Sequence, residues 1–138
     1  MANYLDGTMN ALITNRRPLV AVIDDDFMAR QGTANLLRSM EVDVVMFGSA
    51  QEFIDSGQAT EVSCLITDLQ MPGLNGLELQ ERLVADGQNV PVIIVTGFSS
   101  QHQRRTALDL GAVGFLSKPF RDECLMKCLD KALSKSRI

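Results

Sequence analysis

Apolar residues along this chain fall into two kinds of run that take turns. Five runs are short and dense: Leu19–Ile23, Asp43–Phe47, Val62–Thr67, Val92–Val95 and Val113–Leu116. Four of the five are near-continuous rather than alternating, as in strands buried on both faces of a parallel sheet. Between them the apolar positions recur at helical spacing, over Phe27–Met40, Ala50–Ser56, Leu77–Asp86 and Ser100–Leu110, and a last helix over Asp122–Leu133 closes the chain. Cap residues agree with this division: Gly48-Ser49 precede the second helix, Asn75 the third, and Gly111 follows the fourth. Strand and helix alternate five times, which predicts an α/β fold with right-handed crossovers covering both faces of the sheet. Residues 18–138 read as one domain, without linker or internal repeat. Residues 1–17 read as an N-terminal extension with no clear period, although Leu5, Met9, Leu12 and Ile13 have the spacing of a weak amphipathic helix.

The third strand stops at a carboxylate. Val62-Ser-Cys-Leu-Ile-Thr-Asp68 is β-prone, Met71-Pro-Gly-Leu-Asn-Gly76 is rich in turn residues, and Leu77 restarts at helical spacing. Asp68 therefore sits at the carboxyl end of a buried strand, a poor place for structural work and a good one for chemistry at a sheet edge. The other strands end comparably: the first in Asp24-Asp25-Asp26, the fourth in Thr96, the fifth in Ser117-Lys118-Pro119. Only the second, ending in Phe47-Gly48, brings nothing ionisable. In a parallel sheet all these ends share one edge, and with the second strand outermost the other four are contiguous. Carboxylates gathered there repel one another. A hard divalent cation such as Mg²⁺ (or Mn²⁺) offsets that repulsion through oxygen ligands. Lys118 adds a point charge that can pair with Asp68 or with a phosphoryl oxygen. Metal, ammonium and hydroxyl around one nucleophilic carboxylate are what phosphoryl transfer to an aspartate requires.

Composition narrows the partners. The chain has 138 residues, 46% of them apolar, enough for one domain with a real core. Its net charge of −4 argues against direct contact with nucleic acid, which needs a basic stripe. Arg121, Lys127, Lys131, Lys135 and Arg137 near the C-terminus are too few to reverse that. Three cysteines, Cys64, Cys124 and Cys128, have neither disulfide nor zinc spacing and read as core or groove packing in a reducing cytoplasm. No run approaches the roughly 20 apolar residues of a membrane span, and no signal core precedes the domain. A soluble, cytoplasmic protein away from the membrane is expected.

Ile23-Asp-Asp-Asp26, Thr67-Asp68-Leu-Gln-Met-Pro-Gly-Leu-Asn-Gly-Leu, Val95-Thr96-Gly and Leu116-Ser-Lys118-Pro-Phe together resemble the response regulator receiver domain of bacterial two-component systems. The resemblance runs from about Leu19 to Ser134 with every motif in family order, which is far more specific than one acidic cluster. It implies a flavodoxin-like, doubly wound sheet of five parallel strands in the order 2-1-3-4-5 with five flanking helices. Asp68 would accept a phosphoryl group from a phosphohistidine on a sensor histidine kinase. Three acids in a row leave open which two hold the metal. The resemblance assigns Asp25 as direct ligand and Asp24 as its support, with Asp68 and the backbone carbonyl of Gln70 completing the set. Lys118 would pair with the phosphoryl group, Thr96 would donate its hydroxyl and move toward it, and the Lys118–Pro119 bond would be cis. Phe115 matches the aromatic that turns inward when the threonine moves, reshaping the face of the fourth helix, fifth strand and fifth helix for self-association or partner docking. Such a chain catalyses only its own phosphorylation and dephosphorylation.

Plainer readings stand beside these. Asp26 is the natural N-cap of the first helix. Phe115 is also a reasonable core residue, His102 a surface one, and Arg104-Arg105 a solvated helix face. Gly97 leaves the site open, while Phe98 and Gln70 occupy positions where the family varies. Asp24 and Asp26 formally meet the Asp-x-Asp signature of haloacid dehalogenase-type phosphatases, but Met28 stands where Thr or Val is expected and no cap insertion is evident. A pseudo-receiver that only binds a partner is the other rival, opposed by the intact set of Asp24, Asp25, Asp68, Thr96 and Lys118. The chain ends five residues after Leu133 with no output domain, as either a stand-alone receiver or an excised one.

Overall fold

The structure, a computed structural model, describes residues 17–98 and 100–136. The predicted N-terminal extension, apart from Arg17, lies outside the described residues. In chain order the elements are β1 (Leu19–Ile23), α1 (Phe27–Arg38), β2 (Asp43–Phe47), α2 (Ala50–Ser56), a 3-10 turn (Gln58–Thr60), β3 (Cys64–Asp68), α3 (Gly76–Ala85), β4 (Val92–Thr96), α4 (Gln101–Asp109), β5 (Gly114–Ser117) and α5 (Asp122–Ser136). All four strand pairings are parallel, in the order β2-β1-β3-β4-β5. The expected doubly wound sheet is therefore present, with β2 outermost.

Burial follows from that order. β4 is buried along its whole length, and β1 and β3 nearly so, because each has a neighbour on either side and helices on both faces. On one face Phe53 of α2, Leu79 and Leu83 of α3 and Ala107 of α4 cover Ala21, Ile23, Leu65 and Ile94. On the other, Leu37 of α1 and Leu125, Leu129 and Ala132 of α5 cover Val20, Val22, Ile66, Ile93 and Val95. Each fully buried Leu, Ile or Phe contributes roughly 1.5–3 kcal/mol relative to exposure, so these two layers fix the register that aligns the strand ends. No helix among the described residues is long and apolar enough to cross a membrane.

Helix starts obey local chemistry. Asp26 caps α1 by accepting the Met28 N–H, and Ser49 caps α2 through Glu52. Asn75 with Glu78, and Ser100 with Gln103, form reciprocal capping boxes on α3 and α4. Gly111 follows α4 at φ 98°, a left-handed conformation suited to glycine. Boundaries shift where tertiary bonds intervene. β3 begins at Cys64 rather than Val62, because the Val62 N–H closes the preceding turn onto Gln58 and the ladder with β1 starts only beyond it. α1 stops at Arg38 rather than Met40, whose N–H tightens back onto Leu37.

The cysteines divide. Cys64 is buried, and burial pushes its thiol up to about 12. Cys128 is partly buried against Gly114, and burial raises its thiol as well. Cys124 is exposed, which corrects the reading of all three as packing residues: it falls off the buried stripe of Leu125, Leu129 and Ala132.

Gly76 opens α3 directly beneath the end of β3. A Cβ there would meet the Asp68 carbonyl oxygen at 2.6 Å and the Leu69 Cα at 3.1 Å, both backbone and unable to give way. Gly32, inside α1, would meet nothing within 4 Å. Gly76→Ala is therefore expected to lower stability by about 1–3 kcal/mol and Gly32→Ala to raise it by about 0.5–1 kcal/mol. Urea unfolding checks both, and an unchanged midpoint for Gly76→Ala would contradict the close approach.

Candidate functional site

The sheet's carboxyl edge gathers side chains far apart in sequence. Asp24 follows β1 and is only 4% exposed. Its Oδ1 accepts the Asp26 N–H at 2.9 Å, its backbone N–H reaches the Phe47 carbonyl at 3.2 Å, and its own carbonyl accepts from the Arg30 guanidinium. Asp25, next in the chain, is exposed at the mouth of the site. Asp68 ends β3; its Oδ1 accepts the Gln70 N–H at 3.3 Å, while Thr67 donates its hydroxyl to the Asp68 carbonyl at 2.9 Å. The β3–α3 loop returns over this point through the Gly76 N–H, which bonds the Leu69 carbonyl at 2.8 Å.

Lys118 joins the ends of β1 and β3. Its Nζ donates to Asp24 Oδ2 at 3.0 Å and to Asp68 Oδ2 at 3.2 Å. Desolvation works to lower the Lys118 pKa, but the hydrogen bond and charge of Asp24, then those of Asp68, outweigh it and hold the ammonium above its usual range. The Lys118–Pro119 bond is cis, as the resemblance implied.

Oxygens of Asp24, Asp25 and Asp68 lie within 4.8 Å of one another, close enough for one ion to touch all three. The donors are all hard carboxylate oxygens, one member is exposed toward solvent, and a single ammonium leaves the cluster with excess negative charge. Those properties fit a divalent Mg²⁺ or Mn²⁺ ion. Asp26, the remaining acid of the run, is taken up as the α1 cap.

Thr96 ends β4, buried to 1% exposure, with its hydroxyl donating to the Phe98 carbonyl at 2.8 Å and accepting the Phe98 N–H at 3.2 Å. It faces its own loop in this structure rather than Asp68. Gly97 and Phe98 are exposed, with nothing within 4 Å of where a Gly97 side chain would start. Phe115 on β5 is 7% exposed and belongs to the core layer that includes Ala107 and Ala112. His102 is exposed, as expected.

Three side chains escaped the sequence reading. Arg30 binds the Asp24 carbonyl and lies 5.4 Å over the Phe27 ring. Arg104 is exposed, as expected of a solvated face, and in addition donates to the Phe115 carbonyl at 3.3 Å with its guanidinium 5.8 Å from the Phe115 ring centre. Gln80, on the inward face of α3, is buried and donates to the Ala107 carbonyl at 3.0 Å. No local pattern marks any of them, since each acts by reaching a neighbouring element.

The sequence model of the response regulator receiver domain matches residues 20–130. Nodulation protein W of Bradyrhizobium diazoefficiens is 39% identical over 121 residues, covering 88% of this chain and 53% of that protein. The transcriptional regulatory protein FixJ of Azorhizobium caulinodans is 39% identical over 117 residues, covering 85% of this chain and 56% of that protein. Among solved structures, the response regulator StyR superposes with a TM-score of 0.82 at 35% identity, over 88% of this chain and 61% of that one. The chain thus spans little more than half the length of these curated relatives.

The lysine bridge predicts a pH signature. Removing it in Lys118→Met leaves Asp24, Asp25 and Asp68 facing one another, which is expected to cost the metal-free chain about 1–3 kcal/mol, below the figure for a fully buried pair because the site is partly solvated. Because the folded-state pKa is raised, the gap between wild type and variant holds below the ordinary lysine value of 10.5 and narrows as pH rises through the higher folded value. Unfolding in chelator across alkaline pH measures it; a gap that stays constant or widens above that range contradicts the bridge.

Proposed function

The chain belongs to the response regulator receiver family, and from that premise we propose that it is a phosphoacceptor switch modified at Asp68. A phosphohistidine on a sensor histidine kinase is the natural donor. An Asp68 carboxylate oxygen forms the new O–P bond while the N–P bond breaks, and the electron pair returns to the imidazole nitrogen, which takes up a proton. The product is an aspartyl phosphate. The observation that carries this reading is Lys118 joined to both Asp24 and Asp68, with three carboxylates within reach of one ion.

Asp24, Asp25, Asp68 and the Gln70 carbonyl would hold Mg²⁺ or Mn²⁺. When bound, the ion supplies positive charge against the phosphoryl oxygens. The rest falls to the protein. Lys118 transfers its hydrogen bond from Asp68 to a phosphoryl oxygen, keeping the ammonium inside the site. Arg30 and the Asp26 N–H hold the Asp24 loop rigid, so the carboxylates are in place before the donor arrives. Thr96 exchanges its bonds to Phe98 for one to the phosphoryl group, which pulls on the β4–α4 loop. Phosphorylation then shifts population toward an arrangement with an altered α4–β5–α5 face, available to a second copy or another partner. The only reaction catalysed is the chain's own modification and its hydrolysis, without nucleic acid or membrane contact by this domain.

Two rivals lose ground. A dehalogenase-type nucleophile at Asp24 is poorly served, because Asp24 is buried at 4% exposure whereas Asp68 is only half-buried. A pseudo-receiver has no use for an intact cluster. Intact-mass measurement after incubation with acetyl phosphate and Mg²⁺ decides among the three. One phosphoryl group is expected, lost in chelator and in Asp68→Asn. Modification that persists in Asp68→Asn but disappears in Asp24→Asn would transfer the role to Asp24, and no modification of wild type would favour the pseudo-receiver.

A further inference from the structure

In the proposed switch, Phe115 turns inward when Thr96 moves. The two residues are out of step here. Phe115 is already buried, while the Thr96 hydroxyl still holds the Phe98 backbone through both its bonds. Core neighbours pack the ring from within, and Arg104 lies over it from the solvent side. Its guanidinium donates to the Phe115 carbonyl at 3.3 Å and covers the ring face at 5.8 Å, gripping backbone and side chain of one residue together.

The helix that carries Arg104 makes this grip consequential. α4 fully buries only Ala107 among its residues, so apolar packing anchors it weakly. Arg104 and Ala107 are three apart, so the exposed Arg104 stands at the edge of the face that buries Ala107. Ala107 is fixed in turn by the buried Gln80 amide, which donates to its carbonyl at 3.0 Å. A polar pin from α3 thus sets the height of α4, and Arg104, one turn earlier, projects onto β5. A planar, forked guanidinium can bond a carbonyl and lie over a ring at once, whereas an ammonium manages one or the other.

We propose that Arg104 is a latch on Phe115, a positioning residue that holds the ring buried before any phosphoryl group arrives. This rests on the phosphoacceptor reading. It adds that the α4–β5 face already leans toward the arrangement phosphorylation selects, so the unmodified chain has a raised basal population of it. By linkage, whatever favours the inward ring also favours occupancy of the phosphoryl site. Breaking the latch should weaken binding there, although Arg104 lies outside the site.

The test uses fluorophenylalanine placed at position 115 and a soluble gadolinium chelate that relaxes exposed fluorine nuclei. In the unmodified wild type the ring should be shielded. In Arg104→Ala its relaxation should rise several-fold, Arg104→Lys should fall near Arg104→Ala, and Arg105→Ala, which removes the same charge one residue away, should match wild type. Affinity for fluoroberyllate, a mimic of the aspartyl phosphate, should drop about 3- to 10-fold in Arg104→Ala. Equal shielding in wild type and Arg104→Ala overturns the latch, as does an unchanged affinity when the ring becomes exposed. Failure of wild type to take up fluoroberyllate would instead count against the phosphoacceptor reading, and the ring measurement on the unmodified chain would still decide the latch.

Discussion

Everything at the functional edge depends on one ammonium shared between two carboxylates. Lys118 lies 94 residues from Asp24 and 50 from Asp68, so its two bonds tie the loops after β1, β3 and β5 together across the sheet. Without that charge the three acids would have only single backbone N–H bonds to Asp24 and Asp68, and water, against their mutual repulsion. With it, repulsion is reduced but not cancelled, and the remaining negative charge is what suits the site to a hard cation and then to a phosphoryl group. The surrounding backbone is fitted to the same end. Arg30 fastens the Asp24 carbonyl, Gln70 bonds Asp68 through its N–H, and Gly76 lets the start of α3 come against the Asp68 carbonyl where no Cβ would fit.

Convergence of this kind is legible in a sequence when each contributor ends an element. Asp24, Asp68, Thr96 and Lys118 each stand at or just beyond a strand end, and a parallel sheet sends all such ends to one edge. Dense apolar runs gave β1 and β2 their bounds, and Ser49 and Asn75 marked helix starts because capping is local chemistry. The strand order came from the family resemblance rather than from periodicity, which carries no information on neighbours. Arg30, Gln80 and Arg104 stayed hidden because each is a long polar side chain acting across elements, and its sequence neighbours do not reveal which way it reaches. Cys124 was misplaced for a related reason: spacing assigns a shared helix face but not how far the buried stripe extends across it.

The switch half of the molecule is built differently from the acidic half. Around Asp68 the backbone is bonded into place, whereas α4 rests on one buried alanine and a few polar bonds. Few buried apolar contacts are the mark of an element that moves at low cost. Thr96 stands at the junction, buried yet bonded to the loop that leads into α4. In the proposed switch, a new hydrogen bond at the phosphoryl site would be exchanged for one at Phe98 and would act along α4 and β5.

Whether Asp68 is the residue modified is decided by chemical trapping. An acyl phosphate is reduced by borohydride, converting the modified aspartate to homoserine, which fragment mass spectrometry locates to a single position. Homoserine at position 68 alone, formed only when the chain has been phosphorylated in the presence of Mg²⁺, is the predicted result. Homoserine at position 24, 25 or 26, or a phosphoryl group on a side chain that borohydride leaves intact, would contradict the account.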